Sequence, residues 1–137
     1  MIGLRYFNVF GPRQDPEGMY AAVIPKFVQS LIREESPEIH GDGSQSRDFT
    51  YIENVVEMNI LALTTSSNEA IGLNYNVACG QRLTIFDLFL LIKLLLTNFR
   101  ASLVKINPVH VDSRPGDIPH SLASINLARN LIGYDPK

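Results

Sequence analysis

The 137 residues contain a single cysteine, Cys79, so no disulfide can close within the chain. A reducing compartment, the cytoplasm, is the setting this predicts. Long apolar runs are also lacking. The longest, from Leu88 to Leu96, is interrupted by Lys93 and falls well short of the roughly 20 residues that a membrane helix needs. Charge of one sign is missing as well: 12 Lys and Arg stand against 14 Asp and Glu, a net charge of −2 with an isoelectric point near 5.9. Such a balance draws in neither a nucleic-acid backbone nor an anionic bilayer, and neither is an expected partner. The first residues show no basic segment followed by a small-residue cleavage site, so no signal peptide is expected. No internal repeat, low-complexity tract or linker interrupts the chain. What remains is ordinary globular composition, 45% hydrophobic and 19% charged, at one domain's length with enough apolar content for a modest core.

Patterning supplies the fold class. Ile2, Leu4, Tyr6 and the run Phe7-Asn8-Val9-Phe10 have the branched and aromatic density of a buried strand over residues 2 to 8, with Asn8 at its carboxyl end. A polar loop from Gly11 to Gly18 follows. Val23, Ile24, Phe27, Val28 and Leu31 recur at helical spacing, with Pro25 tolerable in the first turn and Ser36-Pro37 as the stop. "EIHGDGSQSRDFTYI" reads as two short strands around a glycine turn. Ile52, Val55, Val56, Ile60 and Leu63 mark a second amphipathic helix with Asn54 as its N-cap. "LNYNVA" is another strand, and Thr84 with Asp87 forms a capping box opening a helix from Ile85 to about Asn98. "LVKINPV" is strand-like and "RPGD" is a turn. A last helix carries Ile125, Ala128, Leu131 and Ile132, capped by Ser124 and stopped by Gly133. Strands alternating with helices predict an α/β fold.

Several chemical signals are weak. Gly41-Asp42-Gly43 has Ser46 where a third dinucleotide-binding glycine would fall and no helix after it, so a tight turn is the better reading. His40, His110 and His120 are scattered, with no pair at ligand spacing on a helix, which speaks against zinc. Asp117, His120 and Ser121 are close in sequence, but a nucleophilic triad is defined by spatial geometry, and loop polarity is the simpler account. Cys79 beside Gly80 reads as a small packing residue. Two arginines carry more. Arg47 in "SRDF" and Arg114 in "SRPGD" each offer a planar, permanently charged donor fork that suits phosphate oxygens. Asp117 can only accept, as a ribose diol would require. Asn8 ends a strand where open α/β sheets place ligand contacts. Taken from spacing alone, surface ion pairs are the simpler account of both arginines and a turn carboxylate that of Asp117.

The segments "LRYFNVFGPRQDP", "YAAVIPKF", "GDGSQSRDFTYIENVV", "YNVACG" and "RPGDIPHS", in this order, resemble the carboxyl-terminal half of nucleotide-sugar 4-epimerases of the extended short-chain dehydrogenase/reductase family. The likeness covers essentially the whole chain and leans toward enzymes acting on UDP-N-acetylhexosamines and their uronic acids. It implies the substrate-binding part of a Rossmann-type α/β enzyme, with two strands, the opening one and "LNYNVA", that would join in a parallel sheet whose other strands are absent. By the resemblance, Phe7 lies near the nicotinamide of NAD and Asn8 hydrogen-bonds the nucleotide sugar. Ala22 and Val23 bring a helix start to the diphosphate, and Glu38, Ile39 and His40 run along the uracil. Arg47 and Arg114 hold the diphosphate, Asp117 the ribose, and Ser121 borders the hexose. The small Ser121, where simpler galactose epimerases carry a large aromatic, leaves room for an N-acetyl group. Asn54 replaces a usual aspartate, in a capping role that asparagine fills as well.

The family's chemistry is hydride removal from the sugar's C4 by tightly held NAD, and its return to the other face. It requires a tyrosine with a lysine four residues on, and a glycine-rich loop under the cofactor. None of the five tyrosines here is followed by lysine at that spacing, and no glycine triplet opens the chain. No catalytic residue is therefore expected, and the chain reads as an inactive fragment whose NAD-binding half is absent. Uncovered faces of Leu4, Tyr6 and Val77 and bare strand edges predict marginal stability and association with a second copy or with the missing half. Two other readings stand beside the epimerase: a nucleotide-sugar dehydratase or decarboxylase of the same superfamily, and a non-catalytic chain that only binds nucleotide sugars.

Overall fold

Gly3 to Tyr6, near the start of the chain, pair with a strand some seventy positions later. The structure, a computed structural model, describes residues 1–18 and 22–137; Tyr20 and Ala21 of "YAAVIPKF" lie outside the described residues. Its strands are β1 (Gly3–Tyr6), β2 (Val9–Phe10), β3 (Glu38–His40), β4 (Ser46–Arg47), β5 (Thr50–Tyr51), β6 (Asn74–Val77), β7 (Leu83–Thr84) and β8 (Val109–Val111). The helices are α1 (Val23–Ile32), α2 (Ile52–Thr64), α3 (Ile85–Thr97) and α4 (Asn126–Ile132), with 3-10 turns at Asn68–Ala70 and Ala101–Lys105. No helix among the described residues is long and apolar enough to cross a membrane. The chain divides into two compact units and passes between them repeatedly.

The first unit comprises Met1–Gly11, Asp48–Arg82 and Ser121–Lys137. In it β1 runs parallel to β6, in register from Gly3 with Asn74 to Tyr6 with Val77, and β2 runs parallel to β5. The expected parallel pairing of the opening strand with "LNYNVA" is therefore present. Met58 from α2, Tyr75 and Val77 from β6, Ala128 from α4 and Tyr134 are fully buried together, with Ile2, Leu4 and Phe7 packed against them. Val77 is thus core, contrary to its expected exposure, whereas Tyr6 is half-exposed. Two buried phenols close this core: Tyr75 donates to the Ala70 carbonyl at 2.9 Å and Tyr134 to the Ala78 carbonyl at 3.0 Å.

Three readings of this unit are corrected. The buried side of α2 carries Asn54, Val55 and Met58, while Ile52, Val56, Ile60 and Leu63 are exposed; the helix is apolar on two sides, and periodicity cannot say which one meets β6. Asn54 lies inside α2, not at its cap. Its amide exchanges hydrogen bonds with the backbone of Lys137, Nδ2 donating to the carbonyl and Oδ1 accepting from the N–H. Ser124 caps nothing, because α4 begins two residues later, with Ile125 at its N-cap and no side-chain cap bond. Gly133 does stop α4, in the left-handed conformation.

The second unit comprises Pro12–Arg47 and Leu83–His120. Phe27 and Leu31 of α1 are buried, as are Leu88, Phe89 and Ile92 of α3, Ile39 and Leu103. The Phe27 and Phe89 rings meet edge to face at 6.0 Å, a favoured aromatic geometry. The Thr84 hydroxyl accepts from the Asp87 N–H at 3.0 Å, so the predicted cap of α3 forms. Pro25 sits in the first turn of α1, but α1 ends at Ile32, before Ser36-Pro37, because Glu34 takes a left-handed conformation at φ 59°. "EIHGDGSQSRDFTYI" is not a hairpin. Its strands find distant partners, β3 parallel to β8 and β4 antiparallel to β7. "LVKINPV" is largely a 3-10 turn, and the strand starts only at Val109. Gly41-Asp42-Gly43 is a turn, as expected, with Asp42 Oδ1 accepting from the Ser44 N–H at 2.9 Å. The Ser44 hydroxyl, together with that N–H, holds the exposed Asp42 carboxyl below its usual range.

Gly43 is the position where this turn tolerates no side chain. Its φ is +81°, and a Cβ there would sit 3.0 Å from the Phe86 Cβ and 3.2 Å from the Ile39 Cγ2. Gly43→Ala is expected to cost about 2 kcal/mol through backbone strain and overpacking, read as a lower urea midpoint. Alkaline pH is a second probe. Burial, with the charges at Cys79, Asp48 and Glu57, pushes the Tyr134 phenol far above its ordinary 10.0, and burial alone raises Tyr75. The unfolded chain releases those protons first, so stability is complete below that ordinary value and declines as pH rises through and beyond it. Tyr134→Phe should flatten this decline while costing about 1 kcal/mol at neutral pH for the lost bond to Ala78; thermal melts from neutral to about pH 11 measure both.

Candidate functional site

In the second unit, β4 and the loop before Ser121 are laced together. The Ser46 N–H donates to the Pro119 carbonyl at 2.9 Å, and Ser46 forms an isolated parallel bridge with His120. The Ser46 hydroxyl, on a residue only 2% exposed, meets Nδ1 of His120 at 2.9 Å. Arg47 then reaches across the same seam. Its Nη1 donates to the Ser46 carbonyl at 2.9 Å and to the Pro119 carbonyl at 3.4 Å, and its Nη2 pairs with Asp117 Oδ1 at 2.5 Å. Asp117 is held in position by the predicted turn, since its own N–H donates to the Arg114 carbonyl at 3.2 Å. Gly116 occupies the left-handed conformation at φ +79° that this turn needs.

The two polar groups predicted from different loops, Arg47 and Asp117, are therefore brought into contact. Arg114 stands in the same turn as Asp117, exposed, and its guanidinium has no ion pair or hydrogen bond among the described residues. The Arg47 side chain is 16% exposed. It is partly desolvated, so charge at this place acts more strongly than at an open surface.

Other expected site residues of this unit are placed as follows. Ala22 is the extended N-cap of α1 (φ −70°, ψ 156°), with no side-chain cap and no acidic residue in the first turn. The first N–H groups, Val23 among them, thus lack a helical acceptor and carry the positive end of the helix dipole. Glu38 is exposed, whereas the Ile39 side chain is 1% exposed and belongs to the unit's core, leaving only its backbone to face a ligand. His40 is tied by Nδ1 to the Asp112 carbonyl at 3.0 Å.

In the first unit, Asn8 has φ 37°, a conformation that asparagine tolerates better than most residues. Its Nδ2 donates to the Asp48 carbonyl at 2.9 Å, and its own carbonyl accepts from the Thr50 N–H at 3.3 Å. One amide hydrogen is thereby given to structure and the Oδ1 acceptor remains. Phe7 is partly buried against the core, and Ser121 is half-buried. Cys79 is a poor nucleophile, because burial and the neighbouring Asp48 carboxylate raise its thiol.

Sequence reasoning passed over two features. Asp48, fully buried, accepts from the Cys79 N–H at 2.9 Å on Oδ1. On Oδ2 it accepts from the N–H groups of Gly80 at 3.0 Å and Ala123 at 3.4 Å. The available signal was a lone acid in the strand-like "RDFTYI", where a charge is out of place unless it is fully bonded. The Ser46–His120 contact left no local signal, since the partners lie far apart in sequence.

The sequence model of the NAD dependent epimerase/dehydratase family matches residues 1–78. Among solved structures, the chain is similar to a UDP-N-acetylglucosamine 4-epimerase from Methanobrevibacter ruminantium M1 in complex with UDP-N-acetylmuramic acid. The identity is 44% and the TM-score 0.83, covering 99% of this chain and 40% of that one. It is similar also to a UDP-glucose 4-epimerase with UDP-glucose from Thermotoga maritima, at 35% identity and a TM-score of 0.85, covering 99% of this chain and 40% of that one. A UDP-N-acetyl-alpha-D-glucosaminuronate decarboxylase of Bacillus cytotoxicus is 42% identical over 65 residues, 47% of this chain and 20% of that protein. The chain thus spans about 40% of the length of the solved relatives and matches them as part of an α/β Rossmann-type fold.

Asp48→Asn turns one acceptor into a donor that faces the N–H groups of the first unit. A loss of about 2–4 kcal/mol of folding stability is expected, measured by urea denaturation; a loss under about 0.5 kcal/mol would show that the carboxylate is not needed.

Proposed function

Because the chain belongs to the NAD dependent epimerase/dehydratase family, we propose that it is the UDP-sugar-binding part of an NAD-dependent UDP-N-acetylhexosamine or UDP-hexose 4-epimerase. The observation that carries this reading is the meeting of Arg47 with Asp117, in the turn of Arg114, whose guanidinium has no partner among the described residues. In the second unit, Arg47 and Arg114 bind the diphosphate and the Asp117 carboxylate accepts from the ribose hydroxyls. The N–H groups at Ala22 and Val23 add positive potential for the phosphates, and Glu38, Ile39 and His40 supply backbone along the uracil. In the first unit, the remaining amide capacity of Asn8 serves the nucleotide sugar, and Ser121, small enough to admit an N-acetyl group, borders the hexose.

NAD supplies hydride acceptance in this family. The residues of this chain do not make a site for it by themselves: they include no glycine-rich strand-to-helix turn and no tyrosine–lysine pair, and Phe7 alone would stand at the nicotinamide. No hydride step is assigned to this chain, which acts by holding the nucleotide sugar and is inactive alone. A reducing compartment suits its lone thiol, and the cytoplasm is the proposed location.

The 42% identity to a UDP-sugar decarboxylase favours a second reading, in which the same binding part serves loss of carbon dioxide. Product mass separates the two when the chain acts within a complete enzyme, because epimerisation leaves the mass unchanged. Binding itself is measured on this chain by titration calorimetry with UDP. Arg114→Ala removes one charge-assisted contact and should weaken UDP by roughly 10- to 100-fold, with circular dichroism unchanged. Equal affinity of variant and wild type would remove Arg114 from the site.

A further inference from the structure

Arg47 has five N–H donors, and three are already committed, two to the Ser46 and Pro119 carbonyls and one to Asp117. An incoming anion must use what is left, the Nε side of the fork, and meets a carboxylate already seated on Nη2. That carboxylate repels any phosphate approaching the same guanidinium, in a place where Arg47 is largely screened from water. Resting on the site reading above, we infer that Asp117 is a specificity-determining residue that makes phosphate binding at Arg47 conditional on an attached nucleoside.

The mechanism is an exchange of partners. A bare diphosphate must part Asp117 from Arg47, or share the guanidinium with it, and gives the carboxylate nothing in return. A nucleoside diphosphate brings a ribose diol whose two O–H groups can donate to Asp117 as its hold on Arg47 loosens. The turn that carries Asp117 is closed by its own backbone bond to Arg114, so the carboxylate can change partner without unfolding the loop. The two carbonyls on Nη1 keep Arg47 in place throughout. The result is a site that disfavours free pyrophosphate, which carries more charge than a sugar nucleotide, and inorganic phosphate, since neither offers Asp117 a diol.

The test titrates the chain with UDP, 2′,3′-dideoxy-UDP and inorganic pyrophosphate, in the wild type, Asp117→Asn and Asp117→Ser, with circular dichroism as the folding control. Wild type should bind UDP at least about 10-fold more tightly than the dideoxy analogue, and pyrophosphate more weakly than either. Removing the charge should tighten pyrophosphate by about 5- to 10-fold while weakening UDP and abolishing the preference for the diol. Asp117→Ser gives the same reading should the Asn variant fail to fold, and the comparison of UDP with its dideoxy analogue needs no variant. Wild type that binds UDP, with pyrophosphate affinity unchanged or weaker in both variants, or with no preference for the diol, overturns the inference and leaves the site standing. Wild type that binds no UDP overturns both.

Discussion

One carboxylate holds the first unit's polar framework. Asp48 gathers the N–H groups of Cys79 and Gly80, just past β6, and of Ala123, just before α4. These segments have no ladder bonds of their own to spend there, and buried N–H groups left unmatched would cost on the order of 1–3 kcal/mol each. Burying a charge is ordinarily unfavourable, and three oriented donors are what offset it. The same residue's carbonyl takes the Asn8 side chain, while the Thr50 N–H reaches the Asn8 carbonyl. The crossing from β1 to β2 is thereby fixed to the crossing that begins at Asp48, and the left-handed Asn8 is the residue type that permits it. The main chain of residue 48 thus ties Asn8 beside the β2–β5 pair, while its carboxylate serves the segments after β6 and before α4.

The preceding residue does different work. Arg47 spends two donors on carbonyls of its own unit, yet its partner Asp117 is 37% exposed and reachable from water. Consecutive residues of opposite charge, which in most sequences would be read as one surface feature, thus serve separate ends. Asp48 is consumed by the backbone, and Arg47 stays available at a rim. The lacing of Ser46 to Pro119 and His120 is what keeps that availability from becoming disorder, since it fixes the backbone on either side of the guanidinium.

Legibility in the sequence followed the range of the interactions. The parallel partnership of β1 with β6 came from the family resemblance, because β6 shows only a one-sided pattern, Tyr75 and Val77 buried between Asn74 and Asn76. The start of α1 and the span of α3 were readable because spacing and the Thr84 cap are local. Failures came where a partner is remote. β3 and β4 looked like a hairpin because they are neighbours in sequence, yet each is claimed by a strand from beyond residue 82. Asn54 looked like a cap because it stands near a helix start, but Lys137 recruits it. The two apolar sides of α2, one buried and one exposed, could not be ranked without knowing where Tyr75 and Tyr134 pack. Of the site, residue chemistry identified Arg47, Arg114 and Asp117, and resemblance gave them roles. Neither indicated that Asp117 would already be paired, nor that Ser46 and His120 would brace the seam.

That pairing bears on how an arginine site can be both ready and selective. A free arginine side chain carries about 2 kcal/mol of rotamer entropy, which a ligand must overcome if it is to order the side chain itself. Holding the guanidinium on Ser46, Pro119 and Asp117 removes that cost before any ligand arrives, which is preorganisation in the ordinary sense. Two of the three acceptors are carbonyls, neutral and compatible with an incoming anion. The third is charged, and it comes from the turn that contains Gly116. A third carbonyl would order Arg47 equally well but would admit any phosphate, whereas a carboxylate orders it while setting a condition on what replaces it. On the proposed reading, the acid at position 117 braces the arginine when the site is empty and turns to the ribose hydroxyls when it is full.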